Sequence, residues 1–317
     1  MAVNLDKPQR WKDDTRASVD HYNKWFMQFA PKAFRETRIE VTKKVTQAII
    51  DSNDMRGLSP DLLLSWPGIL PTLRMSCCPP LAVDRIVGLA YTSKSLVGSM
   101  EKGKLAIQMS KPVLTTHLAN IVNVINGLLD PDIFVWIPEN RKPTKSERHR
   151  ASTIVADRLT GAVANPIIRN AQEKRQLAEI ETYLTGKGYK RKPHPPGVAL
   201  TKMEPGTFCF HYAVVTVAEA HKVNVSVDVL IQPKAPRRNK LPIMVEAKSA
   251  GDFTNTNKRR KEEAKKITQL KATYGKDICY VVFLCGYFDS GYLGYEAADG
   301  IDWIWEHRIG DFDQLGL

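Results

Sequence analysis

Asp228, Glu246 and Lys248 are residues whose types and spacing suit chemistry. Two carboxylates stand with 17 residues between them, and a lysine follows the second by two places. In a strand, side chains two apart share a face. Val223, Val225, Val227, Val229 and Ile231 then point one way and Asp228 the other, while Met244, Glu246 and Lys248 oppose Ile243, Val245 and Ala247. If the strands are neighbours, the three charges converge on one polar spot. Two ionised carboxylates about 4 Å apart repel by roughly 4 kcal/mol at an effective dielectric of about 20. A divalent cation removes that cost, and hard oxygen ligands suit Mg²⁺. A lysine beside it can orient or deprotonate a water and stabilise charge building on a phosphate. The chemistry would be metal-assisted phosphodiester hydrolysis. The same Glu-x-Lys pattern also fits an ion pair on a solvated strand face.

A fourth charge enters from a helix expected near residues 166–184. Glu173, Leu177, Ile180 and Leu184 fall at i, i+4, i+7 and i+11, which puts Glu173 on the inward apolar stripe. A carboxylate there is costly unless paired or metal-bound, with Arg169 and Arg175 as candidate ion-pair partners.

The elements that must position these groups follow from pattern. A first strand is expected near 206–217, ahead of the two that carry the charges. A helix from about 254 to 274 comes next, strongly basic at its start, and residues 278–288 form a near-continuous apolar run typical of a strand buried on both faces. Asn255, Thr256, Asn257, Lys258, Arg259 and Arg260 lie beside the suspected site, where amide and guanidinium groups suit base edges and phosphates. A solvated basic helix would read alike. Upstream, Tyr22, Trp25, Phe26 and Phe29 form a helical stripe that Pro31 is expected to end. Residues 58–80 read as proline-punctuated loop. Arg74, Arg85, Lys94, Lys102 and Lys104, set among small residues, could approach phosphates or belong to a solvated loop.

Composition narrows the partner. The formal charge is +12, from 46 basic against 34 acidic residues, which favours a polyanion, nucleic acid first. No apolar run approaches a membrane span, and the first residues have no apolar signal-peptide core. Five cysteines without Cys-x-x-Cys spacing argue against zinc and a disulfide framework. No Walker-type glycine loop is present, which disfavours a nucleotide cofactor.

The order of elements resembles the PD-(D/E)XK nuclease superfamily, with Val227–Asp228 where the family's name has Pro–Asp. The phrases PPLAVDRIVGL, VEAKSAGDFTNTNKRRKEEA and FLCGYFDSGYLGYEAADGIDWIWEHRI are similar to the SalI/XamI group of type II restriction endonucleases, and the likeness runs nearly end to end. The resemblance implies an α/β fold: a PD-(D/E)XK core over 151–317, its central mixed sheet flanked by helices, and a mainly helical DNA-binding and dimerisation region over 1–150. It implies Mg²⁺ held by Asp228, Glu246 and the Ala247 carbonyl, with Lys248 activating water. Glu173 would orient water or touch a second metal. The implied substrate is double-stranded DNA, cut at a short palindrome (GTCGAC in some of the group) by a homodimer in a bacterial cytoplasm. On the same fold, the alternatives are a structure-specific repair or recombination nuclease and a DNA-binding protein that has lost catalysis.

Overall fold

The computed structural model describes residues 2–105, 109–218, 221–235, 239–253 and 256–317, with the backbone alone for 217–218 and 256–260. Its helices are α1 (Pro8–Asp51), α2 (Pro60–Ser65), α3 (Leu70–Met75), α4 (Val83–Leu89), α5 (Lys94–Met100), α6 (Lys111–Leu128), α7 (Lys145–Gly186), α8 (Thr256–Tyr274) and α9 (Ser290–Ala298). The strands are β1 (Lys190–Arg191), β2 (Thr207–Ala218), β3 (His221–Gln232), β4 (Ile243–Ala250), β5 (Cys279–Gly286) and β6 (Asp302–Trp305). The chain forms two compact units, Ala30–Ile168 and Met1–Phe29 with Arg169–Leu317. No described helix is long and apolar enough to cross a membrane.

The unit Ala30–Ile168 is helical. Leu118, Ile121, Val122 and Ile125 of α6 pack with Val41, Val45, Ala48 and Ile49 of α1 and with Leu63, Leu70 and Leu73. Residues 58–80 are more regular than their prolines suggest. Pro60 begins α2 behind the N-cap Ser59, and Pro71 sits in the first turn of α3. There the missing N–H has no helical partner to lose, so proline starts helices as readily as it stops them. Pro31 likewise fails to end α1, and Pro166 lies inside α7. Each interior proline forfeits one hydrogen bond. Apolar positions buried further along both helices offset that loss, Val41 to Ile49 in α1 and Leu177 to Leu184 in α7.

The other unit is built on a mixed six-stranded sheet ordered β1-β2-β3-β4-β5-β6. β2, β3 and β4 are antiparallel neighbours, while β4, β5 and β6 run parallel. Leu177, Ile180 and Leu184 of α7 cover one face together with Val229, Ile231, Ile243, Val245 and Phe283. Ile267 and Leu270 of α8 and Leu293 of α9 cover the other with Met244, Val282 and Leu284. β5 is accordingly buried on both sides, as its apolar run requires. The N-terminal segment docks here too: the backbone N–H groups of Val3, Asn4 and Leu5 all donate to Asp302 of β6.

One expectation about the sheet needs correcting. The alternating aliphatics of β3 do not all point one way: Val225 and Val227 join the α8 side, Val229 and Ile231 the α7 side. β2 changes over at the matching place, with Phe208 and Phe210 on the α7 side and Tyr212 and Val214 on the other. The pairs Phe210↔Val229 and Tyr212↔Val227 bracket the switch. His211 stands inside that gap with a left-handed φ of 53°. A residue in that region reverses the pleat locally, and so exchanges the two faces.

Candidate active site

The β3–β4 ladder pairs Ile231↔Ile243, Leu230↔Met244 and Val229↔Val245, then stops. One residue further along each strand are Asp228 and Glu246. Where the ladder ends, Oδ2 of Asp228 accepts the Ala247 N–H at 2.8 Å. β4 itself stays anchored, because Glu246, Ala247 and Lys248 continue in parallel register with Val282, Phe283 and Leu284 of β5. The sheet thus opens a cleft of about 330 Å³, lined by Glu173, Gln176, Asp228, Glu246, Ala247 and Lys248 among others.

Two lysines meet its buried glutamates. Nζ of Lys248 lies 2.9 Å from Oε1 of Glu246 and 3.1 Å from Oε1 of Glu263, and Nζ of Lys266 lies 2.6 Å from Oε1 of Glu246. Glu263 is fully buried and its other oxygen accepts the Tyr280 hydroxyl. Burial alone would push the Lys248 ammonium down, but Glu263 and Glu246 together outweigh it and raise it, so this lysine stays charged. Asp228 is pushed up to about 6, first by burial and then by Glu246. Glu246 is 5% exposed, and its Oε2 is shielded from solvent with no hydrogen-bond partner among the described residues. A buried carboxylate oxygen left unpaired is costly, and a hard cation is a natural partner for it.

Glu173 shares the face of Leu177, Ile180 and Leu184 but is exposed, because it lies a turn beyond the buried part of α7 at the mouth of the cleft. Arg175 is not its partner: that guanidinium sits 3.0 Å from Glu306. Carboxylate and imidazole atoms of Glu173, His211 and Asp228 instead lie within 4.8 Å of one another. Gln176, one turn along α7, donates from Nε2 to the carbonyls of Lys248 and Phe283 at 3.3 Å, which fixes the helix against β4 and β5.

The remaining basic candidates divide. Arg74 is buried; its Nε and Nη2 hold Glu101 at 2.8 and 2.7 Å and its Nη1 donates to the Leu81 carbonyl, so its hydrogen bonds are used inside the helical unit. Arg85, Lys94, Lys102 and Lys104 are exposed, with Lys94 2.9 Å from Asp84 in a solvated pair. Asn255 lies outside the described residues, as do the side chains of Thr256, Asn257, Lys258, Arg259 and Arg260; α8 begins at Thr256.

Sequence reasoning missed His211, Gln176, Glu263 and the contact made by Lys266. Charged residues three and four places apart on α8 (Glu262 and Glu263 with Lys266) were the available signal for a helix face turned to the site.

Comparison with known proteins identifies the family. The model of the XamI restriction endonuclease family matches residues 53–305. The type II restriction enzyme SalI of Streptomyces albus G is 53% identical over 314 residues, covering 99% of each chain. No solved structure matches. The chain therefore belongs to the XamI restriction endonuclease family and is a site-specific endonuclease.

Proposed function

We propose that this type II restriction enzyme hydrolyses double-stranded DNA at a short palindrome with Mg²⁺, through a PD-(D/E)XK core in which Asp228, Glu246 and Lys248 act together. The observation that carries the reading is the end of the β3–β4 ladder. Two carboxylates and a lysine meet where backbone pairing stops, and one buried oxygen of Glu246 has no hydrogen-bond partner among the described residues. This all-oxygen donor set fits Mg²⁺, which Asp228, Glu246 and the Ala247 carbonyl would hold. Bound there, the ion would neutralise phosphate charge and acidify water.

The protein groups have distinct tasks. Lys248, held between Glu246 and Glu263, activates and orients the attacking water and stabilises charge on the phosphate. Glu263 is a positioning residue, since it touches Lys248 from the buried side. Glu173 stands at the rim, where it can orient water or meet a second cation. Arg85, Lys94, Lys102, Lys104 and residues 255–260 supply the phosphate and base contacts. A palindromic site calls for a two-fold symmetric reader, hence a homodimer that cuts one strand per subunit. GTCGAC is the site that the resemblance to the SalI/XamI group suggests.

Plasmid digestion by the purified protein tests the proposal. Discrete fragments with Mg²⁺, none with EDTA, and ends that map to one palindrome are expected. Smeared products, or preference for junctions and flaps over intact duplex, would overturn it.

A further inference from the structure

β3 pairs with β4 only as far as Val229, and β1 pairs with β2 only at Thr207 and Phe208. Beyond those points β2 and β3 run on together, from Tyr212↔Val227 to Ala218↔His221, as a two-stranded ribbon with both edges unpaired among the described residues. The ribbon starts beside Asp228 and extends on the order of 20 Å past it, at about 3.4 Å per residue. Its two faces differ. Val214, Thr216, Val225 and Val227 are buried, and the Tyr274 hydroxyl of α8 donates to the Val215 carbonyl at 2.7 Å. On the other face Ala213 is paired with Ser226 and Val215 with Asn224, all four exposed, and exposed Lys222 follows in the same alternation.

That open face is unlike a solvated edge. Unpaired strands are ordinarily protected by long charged side chains, whereas Ala213, Val215 and Ser226 are small and leave the surface flat. Asn and Lys are depleted in strands, so strand stability does not account for them. No hydrogen bond or ion pair engages the side chains of Lys222, Asn224 or Ser226 among the described residues. No acid occurs in residues 212–218 or 221–227, so the face suits a polyanion.

We propose that the open face of the β2–β3 ribbon enters the major groove of the DNA held in the cleft, where Asn224 and Ser226 are specificity-determining residues on base edges and Lys222 meets a phosphate. A major groove about 12 Å wide admits a two-stranded ribbon, whose strands lie about 4.8 Å apart. An Asn amide bonds N6 and N7 of adenine together, and a Ser hydroxyl donates or accepts. The exposed methyl groups of Ala213 and Val215 beside them suit the thymine methyl. Asn224 lies four residues from Asp228, about 13 Å along the strand, so its base contact falls within a few base pairs of the cut. This inference rests on the cleft being the place of cutting and adds residues that read sequence.

Full-length Asn224→Ala and Asn224→Thr, compared with the wild type, test it; Thr is a good strand former that lacks the amide. The substrates are the palindrome mapped from plasmid fragments and duplexes changed at one base pair in each half. kcat/KM on the palindrome should fall about 5–150-fold, and the preference for it should vanish at one A·T position and persist at the others. That ratio does not depend on how much of the variant is folded. Ser226→Ala should relax a second position. Lys222→Ala should weaken binding equally at every sequence and reduce the salt slope by about 1. An unchanged preference in both Asn224 variants, or an equal loss on all duplexes, overturns the ribbon as a reader of bases and leaves the cleft reading intact. Failure of the cleft reading shows differently: Asp228→Ala would then still cut, with the preference of the wild type.

Discussion

Lys248 is held by two carboxylates of unlike surroundings, Glu246 at the cleft and Glu263 in the core. Lys248→Ala should lower kcat by about 10²–10³-fold, with KM little changed, in steady-state cleavage of a short duplex. Glu263→Gln should cost about 10–100-fold, because a neutral partner no longer fixes the ammonium; unchanged turnover would assign Glu263 to the core alone. Asp228 carries a pH signature. Its carboxyl is raised from 3.8 to about 6 in the folded chain, chiefly by burial, so folding binds its proton more tightly than the unfolded state does. The stability it contributes is present below the unfolded value and is lost as pH climbs through about 6. Asp228→Asn removes that loss, so in EDTA at pH 7 it should stabilise by about 2 kcal/mol, with little effect near pH 3.8. Thermal melts at the two pH values check this. Asp228, Glu246 and Lys248 were legible because a period of two and a short spacing bring them together. His211, Glu263 and Gln176 were not, since cross-strand register and helix packing set their places, and neither leaves a local pattern.

At the scale of elements, β4 is the fixed member, paired along its whole length with β5 while β3 parts from it. Gly286 closes that parallel pair. Its φ is +99°, and a Cβ there would come 2.1 Å from the Ala250 carbonyl oxygen; its N–H donates to Ser18 Oγ at 2.8 Å. Gly286→Ala should destabilise by at least about 2 kcal/mol, seen as a lower urea midpoint, because the strain cannot relax without moving β4. Most elements could be read from the chain: α6 and β5 follow their apolar patterns closely, and α8 ends where it was expected to, at Tyr274. The prolines misled, since Pro31 and Pro166 sit inside helices held by distant burial. The change of faces at residues 211 and 228 was equally hidden, because valines stay hydrophobic whichever layer they enter.

For the whole molecule, the excess of 12 positive charges should make DNA binding steeply salt-dependent. If each subunit neutralises several phosphates, affinity should fall on the order of 10³-fold between about 50 and 200 mM salt, measured by fluorescence anisotropy with Ca²⁺ in place of Mg²⁺. Sedimentation should report a dimer if a palindrome is read symmetrically. The N-terminal 29 residues belong with the sheet-bearing unit, a long-range pairing through Asp302 that no window of sequence displays.

Lys248 and Lys266 both rest on the same oxygen of Glu246. The chain thereby carries its own counterions. Stripped by a chelator, it keeps Glu246 compensated by two ammonium groups, so storage without metal should leave the protein folded and ready to resume cutting once the metal is restored.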